Sequence, residues 1–191
     1  MENQNNNNKK FSFFSSPISN TKPSKVFTLL DAYNYIAGHQ ASHCTNSLRA
    51  ITDKSYARQY KARNFNYCTF SGIFNKRTDD GLIEHSGLLC LDFDHLNNIE
   101  DVKNILIQDE YFETQLLFVS PSGDGLKWIV EIDISEASHQ DWFDSISNYL
   151  SHIYSLVADP QCRNISRACF LPNDPHCIIN PKLLRNEQER I

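Results

Sequence analysis

The alternation of apolar and polar positions is clearest in the second half of the chain. Short apolar runs bounded by polar or glycine-containing segments predict strands, and apolar residues recurring at helical spacing predict helices between them. The predicted strands are 87–94, 115–120, 126–132 and 166–171, and the predicted helices are 99–110 and 137–157. The resulting order, β-α-β-β-α-β, is the split pattern of ferredoxin-like and RNA-recognition folds. The sequence therefore predicts an α+β protein.

The pattern is less regular in the first half of the chain. Residues 1–24 are rich in Asn, Ser and Lys and contain two prolines, which predicts a flexible N-terminal arm. Residues 25–81 are interpreted as an N-terminal α/β module, with helices starting near Asp31 and over 47–63. The predicted RRM-like core is 82–181, and 182–191 is interpreted as a charged C-terminal tail.

The first strand of the predicted core ends in two aspartates, Asp92 and Asp94. Side chains on a strand alternate between faces, so these two carboxylates are expected on one face, opposite Leu91 and Phe93. Two neighbouring like charges repel each other, and a divalent cation between them would remove that cost. The alternative is a strand end that carries two solvated aspartates.

The predicted topology brings distant segments to one edge of the sheet. The first two strands are expected to run parallel with the third antiparallel between them, and the fourth is expected to pair with the first. The end of the first strand, the turn at 120–127 and the loop at 158–167 then lie at the same edge. Asp92, Asp94 and Asp159 are expected to converge there as catalytic, metal-binding acids for Mg²⁺ or Mn²⁺.

The turn between the second and third strands contains two serines, two glycines and a lysine. Glycines allow close backbone approach, and exposed N–H groups, hydroxyls and a cation together suit a phosphate. The predicted nucleotide-binding residues are Ser120, Ser122, Gly123, Gly125, Lys127 and Arg167. The alternative is an ordinary hairpin turn.

Composition limits the choice of function class. The 191 residues are sufficient for one domain or one with a small appendage, and the net charge of −5 argues against binding nucleic acid by bulk charge. No apolar run approaches the roughly 20 residues of a membrane span, so no membrane partner and a cytoplasmic location are expected. The six cysteines contain no C-x-x-C pair, which favours reduced thiols over a disulfide framework. A zinc site from Cys162, Cys169, His176 and Cys177 remains an alternative.

One segment departs from the acidic average. Residues 54–77 contain six basic residues and no acidic one, with aromatic residues interleaved. Cations for phosphates and rings for base stacking are the combination found on single-strand-binding surfaces. Arg63, Lys76 and Arg77 are the predicted nucleic-acid-binding residues. The alternative is a solvated basic face above core aromatics.

These motifs carry a family resemblance. Leu-Asp-Phe-Asp at 91–94, Ser-Gly-x-Gly-x-Lys at 122–127, and Asp159 followed by Ser-Arg at 166–167 resemble the three motifs of the archaeo-eukaryotic primase (prim-pol) superfamily. The chain is more closely similar to the primase-like domain at the N-terminus of VirE-type proteins of bacterial mobile elements. Three further segments, 70–77, 85–88 and 170–175, support this resemblance. The similarity covers about residues 45–181.

The resemblance implies a two-lobed primase fold, with an N-terminal α/β unit packed on an RRM-like catalytic sheet. It also implies an enzyme that transfers nucleotides from NTP or dNTP on a single-stranded DNA template, with Asp92, Asp94 and Asp159 binding the metal. Many members have histidine where this chain has Lys127. This departure is compatible with triphosphate binding but counts against efficient polymerisation. The chain has no G-x-x-x-x-G-K-[ST] motif, so a helicase or ATPase partner is expected on another polypeptide or region.

Three functions follow in order of preference. The first is a primase or primase-polymerase-like domain in the replication of a mobile element. The second is a catalytically weak nucleic-acid- or nucleotide-binding replication module. The third is a haloacid-dehalogenase-type phosphohydrolase, because an apolar strand ending in Asp-x-Asp also begins that family. Leu96 stands where that family usually has Thr or Val.

Overall fold

Two four-stranded antiparallel sheets and a two-stranded ribbon form the β structure of residues 9–188, the part of the chain that this computed structural model describes, with side chains described to residue 184. The strands are β1 Lys10–Phe14, β2 Lys25–Thr28, β3 Tyr67–Thr69, β4 Gly72–Phe74, β5 Leu82–His85, β6 Leu88–Phe93, β7 Thr114–Val119, β8 Leu126–Glu131, β9 Cys169–Phe170 and β10 Ile178–Ile179. The helices are α1 Leu29–Ala37, α2 Ser42–Arg49, α3 Lys54–Asn64, α4 Ile99–Ile107, α5 His139–Tyr154 and α6 Pro181–Gln188.

The C-terminal sheet has the order β10-β7-β8-β6. β8 pairs antiparallel with both β6 and β7, so β6 and β7 run parallel as predicted from the βαββ order. Leu89, Leu91 and Phe93 of β6 lie in one apolar cluster with residues of α4 and α5. The α+β class and the first five elements of the predicted core are therefore confirmed.

The predicted fourth strand has a different partner. It was expected to pair with β6, but β9 pairs antiparallel with β3, with Tyr67 opposite Phe170 and Cys68 opposite Cys169. β10 extends the C-terminal sheet instead, beside β7. The prediction of a complete βαββαβ sheet was therefore wrong at its last strand. An apolar run identifies a strand and its buried face, but it carries no information about which neighbour supplies the hydrogen bonds.

The N-terminal sheet has the order β2-β1-β3-β9. Its strand β1 lies within the segment that was expected to be a flexible arm, so that expectation was wrong for Lys10–Phe14; residues 1–8 lie outside the described part. Phe11, Phe13 and Phe14 are all buried, and the burial of three aromatic rings offsets much of the ordering cost of five residues. The sheet thus combines strands from the predicted arm, the N-terminal module and the predicted core.

Local sequence signals explain several helix boundaries. Thr28 and Asp31 form a reciprocal capping box at the start of α1. The segment 47–63, predicted as one helical pattern, is divided between two helices. α2 ends at Arg49, and Asp53 caps the start of α3 by accepting a hydrogen bond from the Tyr56 N–H. The predicted C-terminal tail begins as α6, where Leu183 is buried.

The core between the two sheets receives residues from both. Phe11 and Cys68 of the N-terminal sheet, Leu88 and Ile129 of the C-terminal sheet, and Ile36 of α1 belong to one buried cluster. Within residues 9–188 there is no helix with the length and apolarity needed to cross a membrane.

Candidate functional site

A cleft of about 410 Å³ opens at the end of β6. The predicted site residues that line it are Asp92, Asp94, Ser120, Ser122, Lys127, Arg167 and Arg77. The cleft is further lined by Lys61 of α3, Phe170 of β9 and the polar residues Gln161, Asn164 and Ser166. The convergence predicted for the β6 end, the glycine turn and the loop after α5 is therefore present.

The pair of Asp92 and Lys127 is the most buried charged group in the cleft. The two residues face each other across β6 and β8, and their side chains are 7% and 12% exposed. Lys127 Nζ contacts Asp92 Oδ2, whereas Oδ1 is buried and has no hydrogen-bond partner among the described residues. A buried polar atom without a partner costs about 1–3 kcal/mol. Asp92 therefore keeps one oxygen free for a ligand.

Asp94 is exposed and lines the same cleft as Asp92, as expected for two positions on one face of a strand. The next residue, His95, has a positive φ of 55°, which turns the chain sharply. Its Nδ1 lies 2.7 Å from Asp124 Oδ2, and the Leu96 N–H donates to the Asp124 carbonyl. These contacts fasten the segment after β6 to the glycine turn.

The glycine turn is closed by its own backbone. Ser120 donates its N–H to the Gly125 carbonyl, and Gly123 donates to the Ser120 carbonyl. Gly125 cannot be replaced without movement, because a Cβ there would lie 2.3 Å from the Phe93 carbonyl oxygen, and Gly123 has a φ of +87°. Both glycines shape the turn rather than line the cleft. Ser120 lines the cleft, and its Oγ is buried and also lacks a partner in the described residues.

Asp159 lies beside Asp92, although it does not line the cleft itself. Its N–H donates to the Asp92 carbonyl at 2.8 Å, and Arg167 Nη2 donates to its Oδ2 at 2.9 Å. Ligand atoms of Asp92, Asp159 and Cys162 lie within 4.8 Å of one another. Asp94 was predicted as the third member of that group, but Cys162 occupies the position. Burial raises the pKa of the Cys162 thiol to about 12, so it is neutral and a poor ligand for a hard cation.

Two cationic residues at the site were missed by the sequence-based assignment. Lys61 lines the cleft, and its pKa is lowered by burial and then by the positive charge of Lys127. Arg49 of α2 donates from Nε to the Pro121 carbonyl and from Nη2 to the Ser120 carbonyl, holding the turn from outside. The basic, aromatic composition of 54–77 was a signal for Lys61. No local signal exists for Arg49, whose partners lie 71 and 72 residues away.

The predicted nucleic-acid-binding residues separate into two groups. Arg77 lies over the Tyr67 ring at 5.3 Å, donates to the Ile18 carbonyl and lines the cleft. Arg63 and Lys76 are exposed and lie outside the cleft lining. Among the described residues, Cys162, Cys169, His176 and Cys177 do not gather into a metal-binding group, so the alternative zinc site is not assembled.

These features define an α+β protein with an acidic and basic cleft where its two main sheets meet. The sequence model of the family described as BT4734-like, N-terminal domain matches residues 59–178, more than half of the 191 residues. The chain therefore belongs to the BT4734-like N-terminal domain family. No curated protein and no solved structure matches the chain significantly.

Proposed function

We propose that this domain binds a nucleoside triphosphate and a divalent cation in the cleft and transfers nucleotides on a single-stranded DNA template. It would act as a primase or primase-polymerase-like enzyme in the replication of a mobile element, with a helicase or ATPase as partner. The observation that carries the proposal is the meeting of Asp92, Asp94, Lys127 and Arg167 in one cleft, where Asp92 has a buried free oxygen.

The residues present suit a hard cation. Asp92 Oδ1 has no partner in the described part, and the exposed carboxylate of Asp94 lines the same cleft. Carboxylate oxygens are the ligands that Mg²⁺ and Mn²⁺ prefer. Asp92 and Asp94 would hold the ion from the cleft, with Asp159, which has a ligand atom within 4.8 Å of one of Asp92, as the third candidate ligand. When bound, the ion would neutralise phosphate charge and lower the pKa of an attacking hydroxyl.

The basic side chains of the cleft suit a triphosphate. Lys61, Arg77, Lys127 and Arg167 all line it, and Ser120 and Ser122 add hydroxyl groups. Charge-assisted hydrogen bonds from such cations to phosphate are roughly twice as strong as neutral ones. The volume of about 410 Å³ also lies in the usual range for a small-ligand site.

A second candidate is nucleotide or nucleic-acid binding without turnover. It is favoured by the ion pairs Asp92–Lys127 and Asp159–Arg167, which neutralise two of the three predicted metal ligands. A cation would then have to share these carboxylates with basic side chains.

The decisive experiment is incorporation of labelled NTP or dNTP on a single-stranded template with Mn²⁺ or Mg²⁺. We expect template-dependent extension by the wild-type chain and its loss in Asp92→Asn/Asp94→Asn, a substitution that keeps side-chain volume. Glu136→Gln is the matched control, because Glu136 is exposed and outside the cleft lining.

Binding of nucleotide without extension would select the second candidate. The absence of both nucleotide binding and extension would reject both candidates. Hydrolysis of small phosphate esters without extension would instead select the phosphohydrolase.

A further inference from the structure

Two thiols from different sheets touch behind the cleft. Cys90 on β6 donates a hydrogen bond to Cys169 on β9, with the sulfur atoms 3.7 Å apart. The two residues are 79 positions apart in the sequence. Cys169 is buried and Cys90 half-buried. The contact therefore spans the junction between the N-terminal and C-terminal sheets.

A small cavity lies against this thiol pair. It has a volume of about 20 Å³ and is lined by Cys90, Cys169 and a third thiol, Cys162. A volume of that size holds one molecule about as large as water. Asp92, Lys127 and Arg167 line both this cavity and the cleft. The sulfur atoms therefore lie next to the cleft from which a small oxidant would approach.

The surroundings make the two sulfurs unequal. The hydrogen bond from Cys90 lowers the pKa of the Cys169 thiol, and the charges of Lys127 and Arg167 act in the same direction against its burial. The thiolate is the reactive form of cysteine. We therefore assign the first step to Cys169, and Cys90, whose sulfur lies 3.7 Å from that of Cys169, is positioned for the second.

We propose that Cys90 and Cys169 are a reversible oxidation site, at which hydrogen peroxide converts the two thiols to a disulfide that joins β6 to β9. In the first step, the Cys169 sulfur attacks one peroxide oxygen, the O–O bond breaks, and the released hydroxide takes the thiol proton and leaves as water. In the second step, the Cys90 sulfur attacks the Cys169 sulfenic acid, the S–O bond breaks, and a second water leaves with the Cys90 proton. The two sulfurs lose two electrons, which reduce the peroxide to two waters, and a small dithiol reverses the change.

The disulfide would act on the candidate site, and this consequence rests on the proposed function. A disulfide holds its sulfurs about 2.05 Å apart, so the two side chains must close the present 3.7 Å gap and then tie β6 to β9. Cys90 precedes Asp92 by two residues, and Cys169 follows Arg167 by two residues. Any strand movement that accompanies this closure shifts Asp92 and Arg167, so we expect weaker nucleotide binding by the oxidised protein.

The test treats the full chain with one equivalent of hydrogen peroxide, blocks free thiols after denaturation and maps the peptides by mass spectrometry. We expect the loss of two thiols, a mass decrease of about 2 Da, a peptide that links Cys90 to Cys169, and full recovery with dithiothreitol. Because the mapping uses the wild-type chain, it does not depend on the folding of any variant. Cys90→Ser and Cys169→Ser should each abolish the linked peptide, whereas Cys44→Ser and Cys177→Ser should leave it unchanged.

Retention of all six thiols in the folded protein would overturn the proposal, as would a disulfide that contains Cys162 in place of Cys90 or Cys169. Nucleotide affinity is measured separately, before and after oxidation. Unchanged affinity with the disulfide formed would overturn the effect on the cleft. Disulfide formation in a chain that binds no nucleotide even when reduced supports the oxidation site and counts against the proposed function alone.

Discussion

The two faces of β6 differ sharply in what they bury. Leu89, Leu91 and Phe93 lie on one face in a wholly apolar cluster with α4 and α5. On the other face Leu88 belongs to the core, but the last residue of that face within the strand is Asp92, which is 5% exposed and paired with Lys127. Apolar burial stabilises the fold directly, whereas a buried ion pair is weak evidence for stability because desolvation offsets its attraction. The first face therefore explains why the strand folds, and the second is better explained by a function of the cleft.

The largest effect should come from separating the buried ion pair. Asp92→Ala or Lys127→Ala alone leaves an uncompensated buried charge, so each should lower the free energy of unfolding by about 3–5 kcal/mol. The double variant Asp92→Leu/Lys127→Met should recover most of that loss. Urea denaturation measures all three proteins.

The exposed pair Arg163–Asp144, with side chains 45% and 47% exposed, is the matched control. Breaking it with Asp144→Ala should cost no more than about 1 kcal/mol. Equal losses for the two pairs would show that water reaches Asp92 freely and would remove the contrast between the two faces.

The apolar face should respond in stability but not in ligand binding. Leu91→Ala removes a fully buried side chain, and we expect a loss of about 3 kcal/mol, within the usual range for such cavities. Calorimetric titration of the folded variant should give the wild-type nucleotide affinity, whereas Asp92→Asn should change it. Val157→Ala, at a side chain that is 77% exposed, is the control and should alter neither quantity. A weaker nucleotide affinity in Leu91→Ala would show that the two faces are coupled.

A buried pair of histidines should make the protein less stable in acid. His85 Nε2 lies 3.1 Å from His139 Nδ1, and burial lowers the pKa of each ring to about 4. The unfolded chain binds protons near pH 6.5 and the folded chain only near pH 4, so stability falls as the pH is lowered through that window. We expect the pair to account for roughly 2 kcal/mol between pH 7 and pH 4, since solvent screens half-buried His85.

Urea denaturation at several pH values measures the effect as a difference between the wild type and His85→Gln/His139→Gln, whose stability should depend less on pH. His43→Gln, at an exposed histidine, should retain the wild-type pH dependence. Identical profiles for the wild type and the double variant would mean that both rings protonate freely in the folded state.

The smallest effect concerns the exposed basic residues outside the cleft. If single-stranded DNA follows the 54–77 segment to the cleft, Arg63→Glu/Lys76→Glu should flatten the dependence of log affinity on log salt by about one to one and a half units, at roughly 0.7 per phosphate contact. Arg77 is left intact because it holds Tyr67 and the Ile18 carbonyl. Lys10→Glu, at an exposed position on β1, serves as the control for charge reversal elsewhere on the surface. A slope that changes with Lys10 and not with Arg63 and Lys76 would place the DNA on the N-terminal sheet.

The local pattern of the chain determined much of the molecule. Alternation along 87–94 identified both the strand and its apolar face, and helical spacing identified α4 and α5. The glycine turn and the Asp92–Asp94 spacing were likewise visible without a structure. Each of these features depends on residues only a few positions apart, because the periods of strands and helices arise within a single segment.

The tertiary structure decided which segments meet. The apolar run at 166–171 did not reveal that β9 pairs with β3 rather than β6, and the polar composition of 1–24 concealed the buried strand β1. Arg49 binds the glycine turn, and Cys162 lies where Asp94 was expected beside Asp92. Cys90 contacts Cys169, which belongs to the other sheet. Such contacts join positions tens of residues apart. The periodicity of a segment predicts which face a side chain occupies, but not which other segment that face contacts. Which segments become neighbours depends on how all the apolar faces are buried together, and this is decided only when the whole chain folds.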